Sequence, residues 1–307
     1  MTNFKSPKQN AKDSFDLGLY SWLYNYLASQ NWQKLLTRFP DLYLLPMPFT
    51  FNSLSMILRC YSYIFHWRNT TYKLFTPFGG LIKNAELVGN RKALKTNFWS
   101  DNVIQVSPYP LSLAMVKGIP IAEPNLDQVE RFISEKLEET LKYASQKSSV
   151  TYNYQKLRKL GKQGLDLSLI EACHEVMHQV ELPITSSHGD LHIDNMILVS
   201  QEIKLIDWSM YNGNGSFITD YIHFYNFLEA EKKKISWTIA ILKDQEYLLL
   251  LAKRLNVAPV LLKIVYTLNR IAGEAGQYPR TNLLPTNQVA KYNSVLTHLL
   301  TSIKQNV

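Results

Sequence analysis

Two apolar runs joined by a short polar turn constrain this chain more than any other stretch. Residues 195–199 read as one strand, Gln201-Glu202 as the turn and residues 203–206 as the returning strand, a pattern that predicts an antiparallel hairpin. A hairpin brings its two ends together, so Asn195 is expected beside Asp207, with the loop His188-Gly189-Asp190 leading in. One carboxylate and one amide oxygen aimed at the same point are hard ligands. They suit Mg2+, which is usually held by few protein groups plus substrate phosphates. Asp190 can orient a substrate hydroxyl and accept its proton as a phosphoryl group moves. His188 reads as an orienter of the loop rather than a base. Two alternatives stand beside this reading. Such residues are also ordinary turn and cap formers, and His188, Asp190 and His192 are zinc-ligand types, although further ligands would have to come from elsewhere.

The offsets of His188, Asp190 and Asn195 fit the protein-kinase catalytic loop H-R-D-x-x-x-x-N, with Gly189 in place of the arginine. The fuller run His188-Gly189-Asp190-Leu191-His192, with Asn195 after it, resembles the aminoglycoside phosphotransferase and choline kinase superfamily, the small-molecule branch of the protein-kinase-like fold. The resemblance is strong over residues 185–225 and weaker over 50–120. It implies Asp190 as catalytic base, Asn195 and Asp207 as magnesium ligands, and ATP or another nucleoside triphosphate as donor. Asp220 resembles the family's later aspartate, which opens a helix and steadies the catalytic loop, and it reads equally as a helix N-cap. Lys73, in the strand-like run 71–75, resembles the lysine that contacts the α- and β-phosphates. A surface lysine blunting an edge strand is the alternative. Glu86 follows thirteen residues later, near the start of the periodic stretch 84–97, and is the candidate carboxylate for that lysine. The run 111–116, ending at Lys117-Gly118, resembles the hinge between lobes, where backbone groups of Met115, Val116 and Lys117 would meet the nucleotide base.

The expected fold is therefore α+β, a protein-kinase-like two-lobed body. Residues 1–50 form an N-terminal extension, mainly helical after a flexible lead. Residues 51–117 form a nucleotide-binding small lobe, with strands at 71–75, 102–106 and 111–116 in one antiparallel sheet. Residues 118–307 form a helical catalytic and acceptor-binding lobe, with helices at 126–144, 167–179, 219–230, 235–254, 258–272 and 288–303. One departure from the family stands out: residues 49–72 contain no glycine, whereas the hairpin over the phosphates is often glycine-rich. Ser53 and Ser55 are the small residues available there. This departure motivates a rival to the enzyme, a catalytically weak kinase-like binding or regulatory module.

A chain of 307 residues with 46% hydrophobic content is long enough to divide its core in two. Its richest apolar stretch is interrupted by Lys243, Asp244 and Glu246, so no transmembrane segment is expected. Residues 1–16 lack the order of a signal peptide. Cys60 and Cys173 are too few for a disulfide framework or a clustered metal site, and a cytoplasmic location is the default. The net charge of +8 suits a polyphosphate donor, but the basic residues form no nucleic-acid module, and no nucleic-acid partner is expected. One basic cluster, Lys147, Lys156, Arg158, Lys159 and Lys162, is placed to lie over the cleft. His174 and His178 stand four apart, a spacing zinc can use, with no third ligand nearby in sequence.

The partner expected is a small-molecule hydroxyl acceptor. Asp194, Glu229 and Glu231 are the acidic candidates for an amine-bearing one, while Trp208, Tyr211, Tyr221 and Tyr225 can stack on a sugar or cover a cation. Lys232-Lys233-Lys234 follow Glu231 at once and weaken any cation-selective field. The pattern favours a neutral or singly charged sugar or amino-alcohol over a polycationic aminoglycoside. The activity expected is that of an ATP- and Mg2+-dependent small-molecule kinase.

Overall fold

The computed structural model describes residues 62–75, 80–143, 146–149, 151–178, 180–276 and 286–305. The expected extension 1–50, the first part of the glycine-free stretch with Ser53 and Ser55, Cys60, and residues 277–285 lie outside them. Within the described residues the chain is two-lobed, a small antiparallel sheet followed by a larger helical part.

The sheet begins with Ser62–Trp67 (β1) and Thr70–Phe75 (β2), paired antiparallel. Side chains alternate across a strand, so Thr71, Lys73 and Phe75 share the inward face of β2, and all three are buried. The helix Gly80–Ala93 (α1) covers that face. Its buried positions Ile82, Glu86, Gly89, Asn90 and Ala93 fall at intervals of three and four, one stripe of a helix. Ser107–Pro108 (β3) and Ser112–Val116 (β4) complete the sheet in the order β1-β2-β4-β3. Lys73 is therefore on an inner strand, and the edge-strand alternative fails. Phe75, Ile82, Ile104, Val106, Leu113 and Met115 form the small core, against which Ile197, Val199 and Ile206 of the hairpin at 195–206 also pack.

After β4 the chain crosses to the helical lobe. Ile119–Pro120 (β5) is a short strand paired with the hairpin at 195–206. Leu126–Tyr143 (α2) follows, as its apolar spacing predicts. Next come Lys147–Ser148 (β6), Tyr154–Leu160 (α3), Leu167–Met177 (α4) and Leu182–Pro183 (β7), with β6 pairing β7 antiparallel. The hairpin is Met196–Val199 (β8) and Glu202–Leu205 (β9). The lobe ends with Phe217–Lys233 (α5), Trp237–Ala240 (α6), Glu246–Leu255 (α7), Pro259–Gly276 (α8) and Thr286–Gln305 (α9). No helix among the described residues is long and apolar enough to cross a membrane.

Four expectations shift, each for a local reason. Residues 102–106 form no strand, because Asn90 holds them by side-chain bonds to the Ile104 carbonyl at 2.7 Å and the Val106 N–H at 3.4 Å. The periodic stretch 84–97 begins earlier and stops at Ala93, whose carbonyl accepts a bond from Thr96 Oγ1 at 2.8 Å. The single helix expected over 235–254 breaks in two, since the Gln245 amide donates to the Ala240 carbonyl at 2.7 Å and Lys263 Nζ reaches the carbonyls of Leu242 and Lys243. The hairpin turn is Ser200-Gln201, with φ of 52° and 68°, so Glu202 belongs to the returning strand.

Gly89 joins the lobes. A Cβ there would lie 2.0 Å from the Trp208 carbonyl oxygen, so α1 can rest on the segment just after Asp207 only with glycine at this position. Ala is the better helix former by about 0.5–1 kcal/mol, yet the clash is with backbone and costs about 1–3 kcal/mol. Gly89→Ala should therefore lower the urea midpoint. An unchanged or raised midpoint would show that α1 does not bear on Trp208.

Candidate active site

The loop entering the hairpin is fixed from behind. Asp220, one turn into α5, accepts the His188 N–H at 2.7 Å and the Gly189 N–H at 2.8 Å through its two carboxylate oxygens. Burial pushes its pKa up to about 7 against the pull of those two N–H groups. The helix N-cap is Ser216, which bonds the Ile218 N–H, so Asp220 serves the loop and not the helix end. His188 is fully buried, and its Nε2–H donates to the Ile206 carbonyl at 2.9 Å, tying the loop to the end of β9. Burial drops this imidazole to about 4, so it is neutral. Gly189 has φ of 84°, and a Cβ on it would sit 2.4 Å from the Met210 carbonyl oxygen, which explains glycine where protein kinases carry arginine.

Around this loop three elements converge. Lys73 Nζ donates to Glu86 Oε2 at 2.7 Å and to Asp207 Oδ2 at 3.0 Å. Burial alone would lower this ammonium, but Asp207 and Glu86 outweigh it and hold the pKa above its usual value. Asp207 takes a left-handed backbone, φ 64° and ψ 62°, at a cost on the order of 1 kcal/mol. That turn aims its carboxylate back at Lys73, while Ser209 Oγ donates to its other oxygen at 2.7 Å. Burial would raise the Asp207 carboxyl, and Lys73 and Ser209 keep it below its usual range. Asn195 donates its amide to the Asp190 carbonyl at 2.8 Å. A carbonyl can only accept, so the amide nitrogen must face it and Asn195 Oδ1 turns the other way.

The residue that sequence reasoning missed is Arg270. From α8, its Nη1 donates to Asp190 Oδ1 at 2.6 Å and to the Gly189 carbonyl at 3.2 Å, while Nε donates to Glu274 Oε1 at 2.7 Å. Glu274 is held in turn by Gln288 and Tyr292 of α9. On the other side, His223 Nε2 lies 3.3 Å from the same Asp190 oxygen, and Tyr266 OH lies 3.0 Å from His223 Nδ1. Asn226 donates to that hydroxyl at 3.3 Å. Burial would raise Asp190, yet Arg270 and the His192 and His223 rings hold it well below the usual carboxylate range. Oδ2 is left with longer contacts, 3.4 Å to Asn195 Nδ2 and 3.6 Å to His192 Nε2. The available signal was Tyr266, Arg270 and Glu274 at four-residue spacing, a polar stripe along a largely apolar helix.

Other candidates fall as follows. Met115 is buried in the small core, so only its backbone can meet a ligand, and the Lys117 N–H is already committed to the Asn69 carbonyl at 2.8 Å. Trp208 is 1% exposed and cannot cover an acceptor. Tyr221 and Tyr225 pack on each other and on Tyr247, and Glu229 pairs with Lys233. His174 is stacked on Tyr154 at 3.9 Å and bonded to Tyr152 OH at 2.7 Å, a packing role. Among the described residues no group of three His, Cys, Asp or Glu is placed to hold a metal, which removes the zinc alternative at His188, Asp190 and His192.

No protein-family profile and no curated protein matches the chain. Solved structures do resemble it. A thermostable mutant of aminoglycoside phosphotransferase APH(4)-Ia, solved with ADP and hygromycin B, is 10% identical with a TM-score of 0.46 over 78% of this chain and 93% of that one. Amicoumacin kinase hAmiN, solved with AMP-PNP, Ca2+ and Ami, is 13% identical with a TM-score of 0.43 over 91% and 96%. A Plasmodium vivax ethanolamine kinase is 11% identical with a TM-score of 0.44 over 78% and 82%. At these values the likeness is distant, and the functional reading rests on the site itself.

The ring behind Asp190 has a pH signature. Burial, then Arg270, drops His223 from 6.5 to about 3, so below about pH 6.5 the unfolded chain takes up a proton that the native imidazole refuses. Acidification therefore removes native stability through His223, whereas glutamine does not titrate. The stability advantage of the parent over His223→Gln should shrink by about 2 kcal/mol between about pH 7.5 and about pH 5 in urea unfolding. A gap that stays constant with pH would mean His223 titrates freely in the native state.

Proposed function

We propose that this chain is an ATP- and Mg2+-dependent phosphotransferase acting on a hydroxyl of a small metabolite, a sugar, amino-alcohol or aminoglycoside-like molecule. The observation that carries the reading is Lys73, a buried cation joined to Glu86 and Asp207 beside the hairpin that bears Asp190 and Asn195. A lysine there meets a polyphosphate as a point charge, and Glu86 fixes its direction. The donor set suits Mg2+. Asp207 offers a carboxylate and Asn195 an amide oxygen turned away from its own hydrogen bond, both hard ligands, and a nucleotide's phosphates would supply the remainder. When bound, the ion supplies positive charge against that gathering on the phosphate oxygens. The base of the nucleotide would meet the backbone between Met115 and Lys117.

Asp190 acts mainly by orientation. Its Oδ1 is occupied by Arg270, which leaves Oδ2 for the acceptor hydroxyl. A carboxylate held well below its usual pKa is a weak base. That suits a loose phosphoryl-transfer transition state, in which the hydroxyl needs little deprotonation before attack. The new bond runs from the acceptor oxygen to the γ-phosphorus, the bond to ADP breaks, and the hydroxyl proton passes to Asp190 as transfer completes. A reaction that consumes ATP fits a cytoplasmic location.

Against a panel of sugars, amino-alcohols and aminoglycosides, Asp190→Ala should lower turnover by about 10²- to 10⁴-fold while MgATP affinity stays close to the parent's. Parental turnover in that variant would refute the assignment. The competing reading, a kinase-like binding or regulatory module, predicts no metal-dependent ATP binding even at millimolar nucleotide and no turnover on any acceptor.

A further inference from the structure

A cavity of about 240 Å³ opens beside the catalytic loop, lined among others by Gly189, Tyr211, His223, Arg270, Asn153 and Lys156. Its charge is one-sided. Arg270 is already paired with Asp190 and Glu274. His223 is neutral, and both oxygens of Asp220 are spent on backbone N–H groups. Lys156 is different. It is partly buried, burial lowers its pKa, and no charged group among the described residues acts on it in return. The Asn153 side-chain oxygen is committed to the Lys156 N–H at 3.0 Å, which leaves the Asn153 amide nitrogen as a donor beside it. The surrounding chain adds to the sign: residues 145–165 carry Lys147, Lys156, Arg158, Lys159 and Lys162 and no acidic residue. A partly desolvated ammonium without a counter-charge is unfavourable unless something anionic arrives.

We infer that the acceptor carries an acidic group, a carboxylate or a phosphate ester, seated at Lys156 in the cavity that Gly189 of the loop also lines. This inference rests on the phosphotransferase reading and narrows its acceptor to an acidic one, such as a sugar phosphate, in place of the amine-bearing classes. The cavity is smaller than the roughly 300–1,000 Å³ of drug-sized sites, so the acceptor is a small hydroxy acid or phosphorylated alcohol.

Calorimetry on the full chain without nucleotide isolates the cavity, and MgATP binding, measured separately, reports on the phosphotransferase reading. The probes are glycerate, glycerol 3-phosphate, glycerol and serinol. At least one acid should bind about tenfold or more tighter than glycerol and serinol, as a charge-assisted bond supplies. The two acids, compared directly, tell carboxylate from phosphate. Lys156→Gln should abolish the preference and Lys156→Arg should retain it, each with an unfolding midpoint close to the parent's. Equal binding of acid and alcohol, tighter binding of serinol, no binding of either acid, or a preference that survives in Lys156→Gln would each overturn the inference, even if MgATP binds normally.

Discussion

The ammonium of Lys73 is the point on which the two lobes depend. It stands on an inner strand of the small sheet and bonds one carboxylate from the helix covering that sheet and another from the end of the catalytic hairpin. Three segments distant in sequence are registered by one side chain. A buried ion cluster of this kind is a poor source of net stability, because each charge loses its hydration on folding. Its effect is geometric. Removing Lys73 would leave both carboxylates without their cation, so the cluster tolerates one arrangement of lobes far better than neighbouring ones. Gly89 belongs to the same arrangement, since it lets α1 approach the Trp208 carbonyl and thereby sets Glu86 within reach of Lys73.

A second charged arrangement acts within the helical lobe. Asp190 is gripped by Arg270 and His223, and Arg270 is backed by Glu274. This grip lowers the basicity of the carboxylate while fixing its direction. The two effects oppose each other for a reaction limited by proton removal, but not for phosphoryl transfer, where alignment of the hydroxyl and charge balance dominate. On the phosphotransferase reading the two devices are complementary, Lys73 serving the donor and Arg270 the acceptor.

Much of this was legible in the sequence, and the parts that were not share a cause. The hairpin could be read because its strands are local and apolar, and its ends had to converge. The burial of Lys73 follows from two-residue alternation with Thr71 and Phe75. The hairpin turn was misplaced by one residue because Ser200 and Gln201 adopt positive φ without glycine or asparagine to announce it. The strand expected at 102–106 has a suitable composition, and only the long-range bonds of Asn90 cancel it. Arg270 and His223 are hard to read for a similar reason. Their partner Asp190 lies 80 residues from Arg270, and the polar stripe of Tyr266, Arg270 and Glu274 does not announce the loop it will meet from behind. Trp208 was a candidate for stacking on an acceptor, but an indole packed against Trp99 is part of the core.

On the proposed function, Lys73, Asn195 and Asp207 together form a magnesium-dependent nucleotide site. Calorimetric titration with a non-hydrolysable ATP analogue, with and without Mg2+, in the parent and in Asp207→Asn, tests this. Binding should be tighter with Mg2+ in the parent, and that enhancement should be lost in the variant, with the fold intact. Equal affinity with and without the ion in the parent, or no binding at millimolar nucleotide, would contradict it.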